Sequence, residues 1–395
     1  MRVLSSRCFA VEETLGAGSA AIGFDPHWRE MAMISFEPTD EQRMLIQTVH
    51  AFAEEHLRRV ARECDESGQI PEDVVDRGWS IGLLPSMIPE AYGGFGEPSA
   101  LTSVLALEEL GWGDFTLALY LLAPHAVALP ILLYGTEEQK RTYLPRFCGE
   151  RFVEAAAALI EPSFLFDPFQ LKTTAHREGE AYVLNGVKIG VPFGAEAELL
   201  LVYASEDGRT QAFLVEKGTP GLVVKGRDRY AGIRALPTYE IALEGCRVPL
   251  CQRIGGDSGI SMERLLERSR VALAALAVGL ARGAFEYARD YAKQRVQFGE
   301  PIAHRQAIAF MIAEMAIDID AARLMAWEAA WRIDRGEDAA REAYLCKLFA
   351  DDMALRVTDG AVQTLGGHGY IRDHPVEMWL RNARGLPMLE GMVMV

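Results

Sequence analysis

The stretch YVLNGVKI, Tyr182 to Ile189, and the stretch LLLVYASEDGRTQAFLV, Leu199 to Val215, decide how this chain is to be read. Each sets β-prone residues on both sides of a polar-glycine step, Asn185-Gly186 in the first and Asp207-Gly208 in the second. Such a step tolerates the positive φ angles of a tight turn, so each stretch predicts a β-hairpin. LVVK at Leu222 and YEIAL at Tyr239 add further strands. No segment here is long enough for the helical crossovers that parallel strands need, so the run from about Phe152 to Val248 predicts a small antiparallel β domain.

On either side of this region the hydrophobic period lengthens. Upstream, Thr39 is placed to cap a helix with Gln42 three residues on, and Leu45, Val49, Phe52 and Leu57 follow at helical spacing. GLLPSMIPEAYGGFGEPSA, from Gly82, breaks the pattern with prolines and glycines, and LTSVLALEEL resumes it. Downstream, Met262 to Val296 contains no proline and aligns Leu265, Leu266, Val271, Leu276 and Leu280 on one side. Further helices are predicted from about Arg305 to Arg335 and from Asp338 to Leu365, with Gly366-Gly367 as the stop. Connected antiparallel helices of this length pack as a bundle. The expected organisation is an extension over 1–34, a helical domain over 35–151, a β domain over 152–260 and a helical bundle over 261–395, an α+β multidomain protein.

Composition narrows the function. The 395 residues are half hydrophobic, enough for a sizeable core, and 56 Asp and Glu against 40 Lys and Arg give a net charge of −16. That charge repels a polyanion, which argues against nucleic acid as a partner. The cysteines Cys8, Cys64, Cys148, Cys246, Cys251 and Cys346 are scattered without CxxC pairs, as expected of a reduced, cytoplasmic protein. The most apolar run, VALAALAVGLARGAF from Val271, is interrupted by Arg282, so no membrane span is expected. The first thirty residues carry Glu12, Glu13 and Asp25 and no apolar signal core. No Walker loop, GxSxG elbow or metal-ligand cluster occurs, and His125, His304, His368 and His374 are dispersed, which suits structural roles.

Two segments carry a specific resemblance. DYAKQRVQFGEPIAHRQAIAFMIAEMA, from Asp290, and QTLGGHGYIRDHPVEMWLRNARGLPMLEG, from Gln363, resemble the two C-terminal signatures of the acyl-CoA dehydrogenase family. The likeness extends upstream through TDEQ at Thr39, PEAYGGFG at Pro89, GTEEQKRTYLPRFCGE at Gly135 and CRVP at Cys246. It implies an N-terminal helical domain, a middle β domain and a C-terminal four-helix bundle, assembled as a homotetramer or dimer. It also implies FAD as cofactor, an acyl-CoA thioester as substrate and an electron-transferring flavoprotein as electron acceptor. By the resemblance, Arg295, Phe298, Gln306, Gln363, Thr364, Leu365, Gly366 and Gly367 hold the adenosine and pyrophosphate half of an FAD seated in a neighbouring subunit. An arginine suits phosphate oxygens, and glycines at a helix stop let backbone come close. Glu390 matches the family's base, which removes the α-proton while the β-hydride passes to the flavin; Glu267, Arg270 and Gly391 fall at substrate-binding positions.

The departures from the family pattern cluster where it would hold the flavin ring. Ile160 and Phe166 replace polar contacts in ALIEPSFLFD, Gly190 and Pro192 stand in KIGVPFG where the family has an aromatic and a hydroxyl, and Met392 replaces the threonine of EGT. Two readings follow beside the dehydrogenase: a non-catalytic structural or acyl-CoA-binding subunit of a hetero-oligomer, and a same-fold flavin oxidase or monooxygenase. If Phe164, Phe166 and Phe169 enter the pocket, only short acyl chains are expected to fit.

Overall fold

The computed structural model describes residues 37–395; the extension expected over 1–34 and Cys8 lie outside the described residues. From Asp40 the chain forms α1 (Asp40–Phe52), α2 (Ala61–Ser67), α3 (Glu72–Ser80), α4 (Ala100–Gly113), α5 (Phe115–Leu122), α6 (His125–Tyr134) and α7 (Glu137–Tyr143). α1 begins at the capping box legible in the sequence. Thr39 Oγ1 accepts from Gln42 N at 3.2 Å, and Gln42 Oε1 accepts from Thr39 N at 3.0 Å.

The next segment is a sheet of β1 (Ala155–Ala158), β2 (Thr174–Glu178), β3 (Ala181–Pro192), β4 (Leu199–Glu206), β5 (Arg209–Glu216), β6 (Leu222–Arg227) and β7 (Thr238–Pro249). The spatial order is β1-β4-β2-β3-β7-β6, with β5 paired to β4. Asp207 (φ 49°) and Gly208 (φ 79°) turn β4 into β5 as the sequence predicts. Asn185-Gly186 does not make a turn. It lies inside β3, at a register shift against β7, and the turn into β3 is Gly179-Glu180. The Asn185 side chain instead accepts from Gly245 N at 2.8 Å, so it satisfies the irregular backbone of the neighbouring strand. β1 also departs from expectation by running parallel to β4, Ala155 opposite Leu199. The β2–β3 hairpin, rather than a helix, supplies the crossover between them.

The remaining elements are α8 (Met262–Gln294), a short β8 (Val296–Gln297) and β9 (Glu300–Pro301) ribbon, α9 (Gln306–Asp334), α10 (Ala340–Leu365) and α11 (Val376–Gly385). Phe115–Tyr134 and Met262–Gln294 are, by length and composition, apolar enough to cross a bilayer, contrary to the sequence reading. Their apolar windows are mostly buried inside the protein, where α8 runs through the core between α4, α9 and α10. Arg282, which interrupts the apolar run of α8, is answered there. Its guanidinium meets Glu108 at 2.7 Å and also pairs with Glu109, and Arg323 of α9 reaches Glu108 at 3.0 Å. Charges taken out of water this far need partners, and here they fasten α4, α8 and α9 together.

Candidate active site

Glu390 follows α11 and a single 3-10 turn, Leu386–Met388, and its carboxylate meets Arg270 Nε of α8 at 3.2 Å. These two residues, 120 positions apart, are brought together by the fold. Gly391 is fixed beside them: its N–H donates to Ser269 Oγ at 2.9 Å. Its φ is +69°, and a Cβ there would stand 2.5 Å from Leu159 Cδ2, so only glycine fits. Glu267, one turn before Arg270, is 3 % exposed and pairs with Arg264 at 3.1 Å. Burial pushes its carboxyl above the usual carboxylate range. It is a buried group, and Arg270 is the member of this pair that faces Glu390.

Leu389 and Met392, on either side of Glu390-Gly391, line a cleft with a cavity volume of about 190 Å³ between the sheet and α11. Ile160, Ile189 and Gly190 form its sheet side; Tyr230 and Thr238 stand at another wall, and Arg384 and Met388 line it from the α11 side. Three of the departures noted in the sequence, Ile160, Gly190 and Met392, therefore meet in one space. Pro192 is buried away from the cleft lining, and Phe166 is half-buried and packs against the core. Phe164 and Phe169 are exposed, so these aromatics do not fill the cleft and set no limit on an acyl chain.

The sheet side of the cleft is fixed by an ion pair that sequence reading missed. Lys188 Nζ donates to Glu161 Oε1 and to Leu159 O, each at 2.9 Å, and both side chains are buried. Glu161 also accepts from Lys172 N at 2.7 Å and Thr173 N at 2.8 Å. Burial lowers Lys188 to about 8, with Glu161 opposing the shift. For Glu161, burial is outweighed by Lys188 and these hydrogen bonds, which hold its carboxyl low. Ile189 N donates to Ile160 O at 3.0 Å, so the two residues next to the ion pair are locked side by side. The only sequence sign was one acid in ALIEP and one lysine in NGVKI.

A flavin ring matches this cleft in chemistry. The lining is predominantly apolar, as a flat aromatic system requires, with the Tyr230 and Thr238 side chains as its hydroxyl groups. The hydroxyl of Tyr230 interacts with Asp228 Oδ2, at 3.1 Å, and with the Thr238 side chain.

The residues assigned to the other half of the cofactor lie elsewhere. Arg295 ends α8 about 25 residues beyond Arg270, roughly 38 Å along the helix. Tyr291 and His368 Nδ1, 2.7 Å apart, tie that end of α8 to the Gly366-Gly367 turn. Tyr287 and His374 Nδ1 make a second clasp at 2.7 Å, so these histidines are partnered where the sequence showed them dispersed. Phe298 (φ +56°), Gln306, Gln363, Gly366 and Gly367 are exposed, whereas Thr364 and Leu365 are buried, Thr364 Oγ1 donating to Gly360 O at 2.8 Å. Among these, the exposed groups are those open to a ligand, and the distance separates them from the cleft of their own chain.

Comparison with known proteins covers nearly the whole of the described chain. Residues 39–151, 156–246 and 258–393 match, in order, the N-terminal, middle and C-terminal domains of acyl-CoA dehydrogenases. Cyclohex-1-ene-1-carbonyl-CoA dehydrogenase of Geobacter metallireducens is 39 % identical over 354 residues, 88 % of this chain and 93 % of that protein. The structure of butyryl-CoA dehydrogenase from Megasphaera elsdenii aligns at 32 % identity with a TM-score of 0.83, covering 89 % of this chain and 95 % of that one. A structure described under the electron transferring flavoprotein of Acidaminococcus fermentans aligns at 35 % identity and a TM-score of 0.83, over 90 % and 95 % of the two chains. With all three domains matched in order and the likeness running through nearly nine-tenths of its length, the chain belongs to the acyl-CoA dehydrogenase family.

Proposed function

We propose that Glu390 is the base with which this protein oxidises an acyl-CoA thioester to its 2-enoyl product. The protein is an oxidoreductase acting on CH–CH groups, and its cofactor is FAD. The observation that carries the assignment is the placement of Glu390 against Arg270, with Leu389 and Met392 on either side of Glu390-Gly391 lining the apolar cleft. The α and β carbons of a thioester are bonded neighbours, so the base and the hydride acceptor must lie on opposite sides of one short segment of substrate. FAD, when bound, supplies the hydride acceptor. Glu390 takes the α-proton, Arg270 orients its carboxylate, and the apolar walls exclude the water that would reprotonate the α-carbon.

Electrons leaving to an electron-transferring flavoprotein suit a protein of this kind, and the likeness to the Acidaminococcus structure supports that acceptor. α9 favours a homo-oligomer, a dimer or tetramer. One stripe of it is buried, including Met315, Ile319, Ala322 and Ala326, yet Phe310, Ile317 and Leu324 are exposed at seven-residue spacing on another. A second copy covering that stripe also places exposed Arg295 and Gln363 at a site their own chain cannot complete. Free Cys64, Cys148, Cys246, Cys251 and Cys346 support a reducing compartment, hence the cytoplasm, and a role in fatty acid metabolism follows from the substrate class.

The test is a visible spectrum after FAD loading and removal of excess, followed by anaerobic addition of acyl-CoA thioesters. Yellow protein that bleaches on addition is the expected result. Colourless protein would instead favour the structural subunit suggested by Ile160 and Gly190, and oxygen consumption without another acceptor would favour an oxidase.

A further inference from the structure

A flat ring in the cleft beside Glu390 needs a surface to lie against, and the strand on the sheet side offers little at its middle. Gly190 sits at the bulged part of β3 with φ +62° and contributes no side chain. The space in front of it is taken by Tyr230, from the connection between β6 and β7. Its hydroxyl stands 3.7 Å from where a Cβ on Gly190 would be, and both residues line the cleft. Tyr230 is 39 % exposed, with one part of the side chain on the cleft and the rest at its mouth. Asp228 Oδ2 accepts from its hydroxyl at 3.1 Å and fixes the ring's position. An aromatic held in this way, over a glycine and beside the Thr238 hydroxyl, is placed to contact a planar ligand.

We propose that Tyr230 is the aromatic wall of the flavin site, supplying from a loop the surface that β3 lacks at Gly190. The proposal rests on the reading of this cleft as the flavin site. Ring-on-ring contact adds to area burial by an amount equivalent to roughly a three- to tenfold change in affinity. A phenol ring against a flavin also quenches its fluorescence by electron donation, a signature that a merely structural loop residue does not give.

The experiment compares the full chain with Tyr230→Leu, Tyr230→Phe and Ile160→Trp, measuring FAD dissociation constants, the fluorescence of bound FAD and the far-UV spectrum. Tyr230→Leu is expected to bind FAD roughly three- to tenfold more weakly and to brighten the bound flavin, while Tyr230→Phe stays near the parent affinity. Ile160→Trp, which fills the cleft from its sheet side, is expected to lose FAD with the fold intact. Unchanged affinity and fluorescence in Tyr230→Leu, with FAD lost in Ile160→Trp, overturns the role of Tyr230 and leaves the cleft assignment standing. Unchanged FAD binding in both variants overturns the two together.

Discussion

Glu390 and Asp114 are carboxylates that the fold treats in opposite ways. Glu390 is partly open, 23 % exposed, with Arg270 as its cationic neighbour. Replacing it by Gln keeps the shape of the cleft and removes the proton acceptor. Turnover is expected to fall by about 10²–10⁴-fold while the visible spectrum of bound FAD is retained; a variant with near-parent kcat would exclude Glu390 as the base. Asp114 is fully enclosed at the start of α5, where its Oδ1 caps Leu117 N at 2.9 Å. Burial raises its carboxyl from 3.8 to about 7, although the N–H groups of the helix start oppose this. A folded-state value above the unfolded one contributes stability below pH 4 that is lost as pH rises through about 7. Asp114→Asn cannot ionise, so its stability relative to the parent is expected to increase across that window and level off above it. The ceiling is on the order of 4 kcal/mol, from the size of the shift. Thermal unfolding of both proteins between pH 4 and 8 checks it, and a pH-independent difference would refute it.

At the scale of the element, β3 does two jobs with adjacent residues. Lys188 points into the core to meet Glu161, and Ile189-Gly190 form part of the cleft. Lys188→Met leaves a buried carboxylate uncompensated, which costs about 3–5 kcal/mol. Adding Glu161→Gln removes the stranded charge and keeps an acceptor for Lys172 N and Thr173 N, so much of the loss should return. Denaturant titrations of the single and double variants decide this; equal stability of the two would mean that the pair contributes nothing beyond packing. The same strand shows why its sequence misleads. Asn185-Gly186 has the chemistry of a turn, but β7 offers Gly245 N to the Asn185 side chain and the strand continues through the irregularity.

At the scale of the molecule, the homo-oligomer proposed through α9 ties assembly to cofactor binding. Phe310, Ile317 and Leu324 are exposed on the chain alone, and exposed apolar stripes of this kind are normally covered by a partner. Phe310→Glu with Ile317→Glu is expected to shift sedimentation velocity toward a smaller species. FAD retention should weaken at the same time, because Arg295 lies roughly 38 Å along α8 from Arg270 and cannot serve its own cleft. Dissociation with unaltered FAD affinity would separate assembly from cofactor binding and refute the shared site.

The sequence by itself determined the order of helical, β and helical segments, the capping box at Thr39, the turn at Asp207-Gly208 and the candidate base. Each is written in local spacing or in a short motif, which needs no knowledge of what packs nearby. Only the tertiary structure decided that Phe164 and Phe169 face outward, that Glu161 and Lys188 pair beneath the cleft, that β1 lies parallel to β4, and that Tyr230 stands over Gly190. Those facts depend on residues far apart in the chain meeting in a low-dielectric interior. Their energies come from burial and partnership, and neither is visible until the whole chain has closed around them.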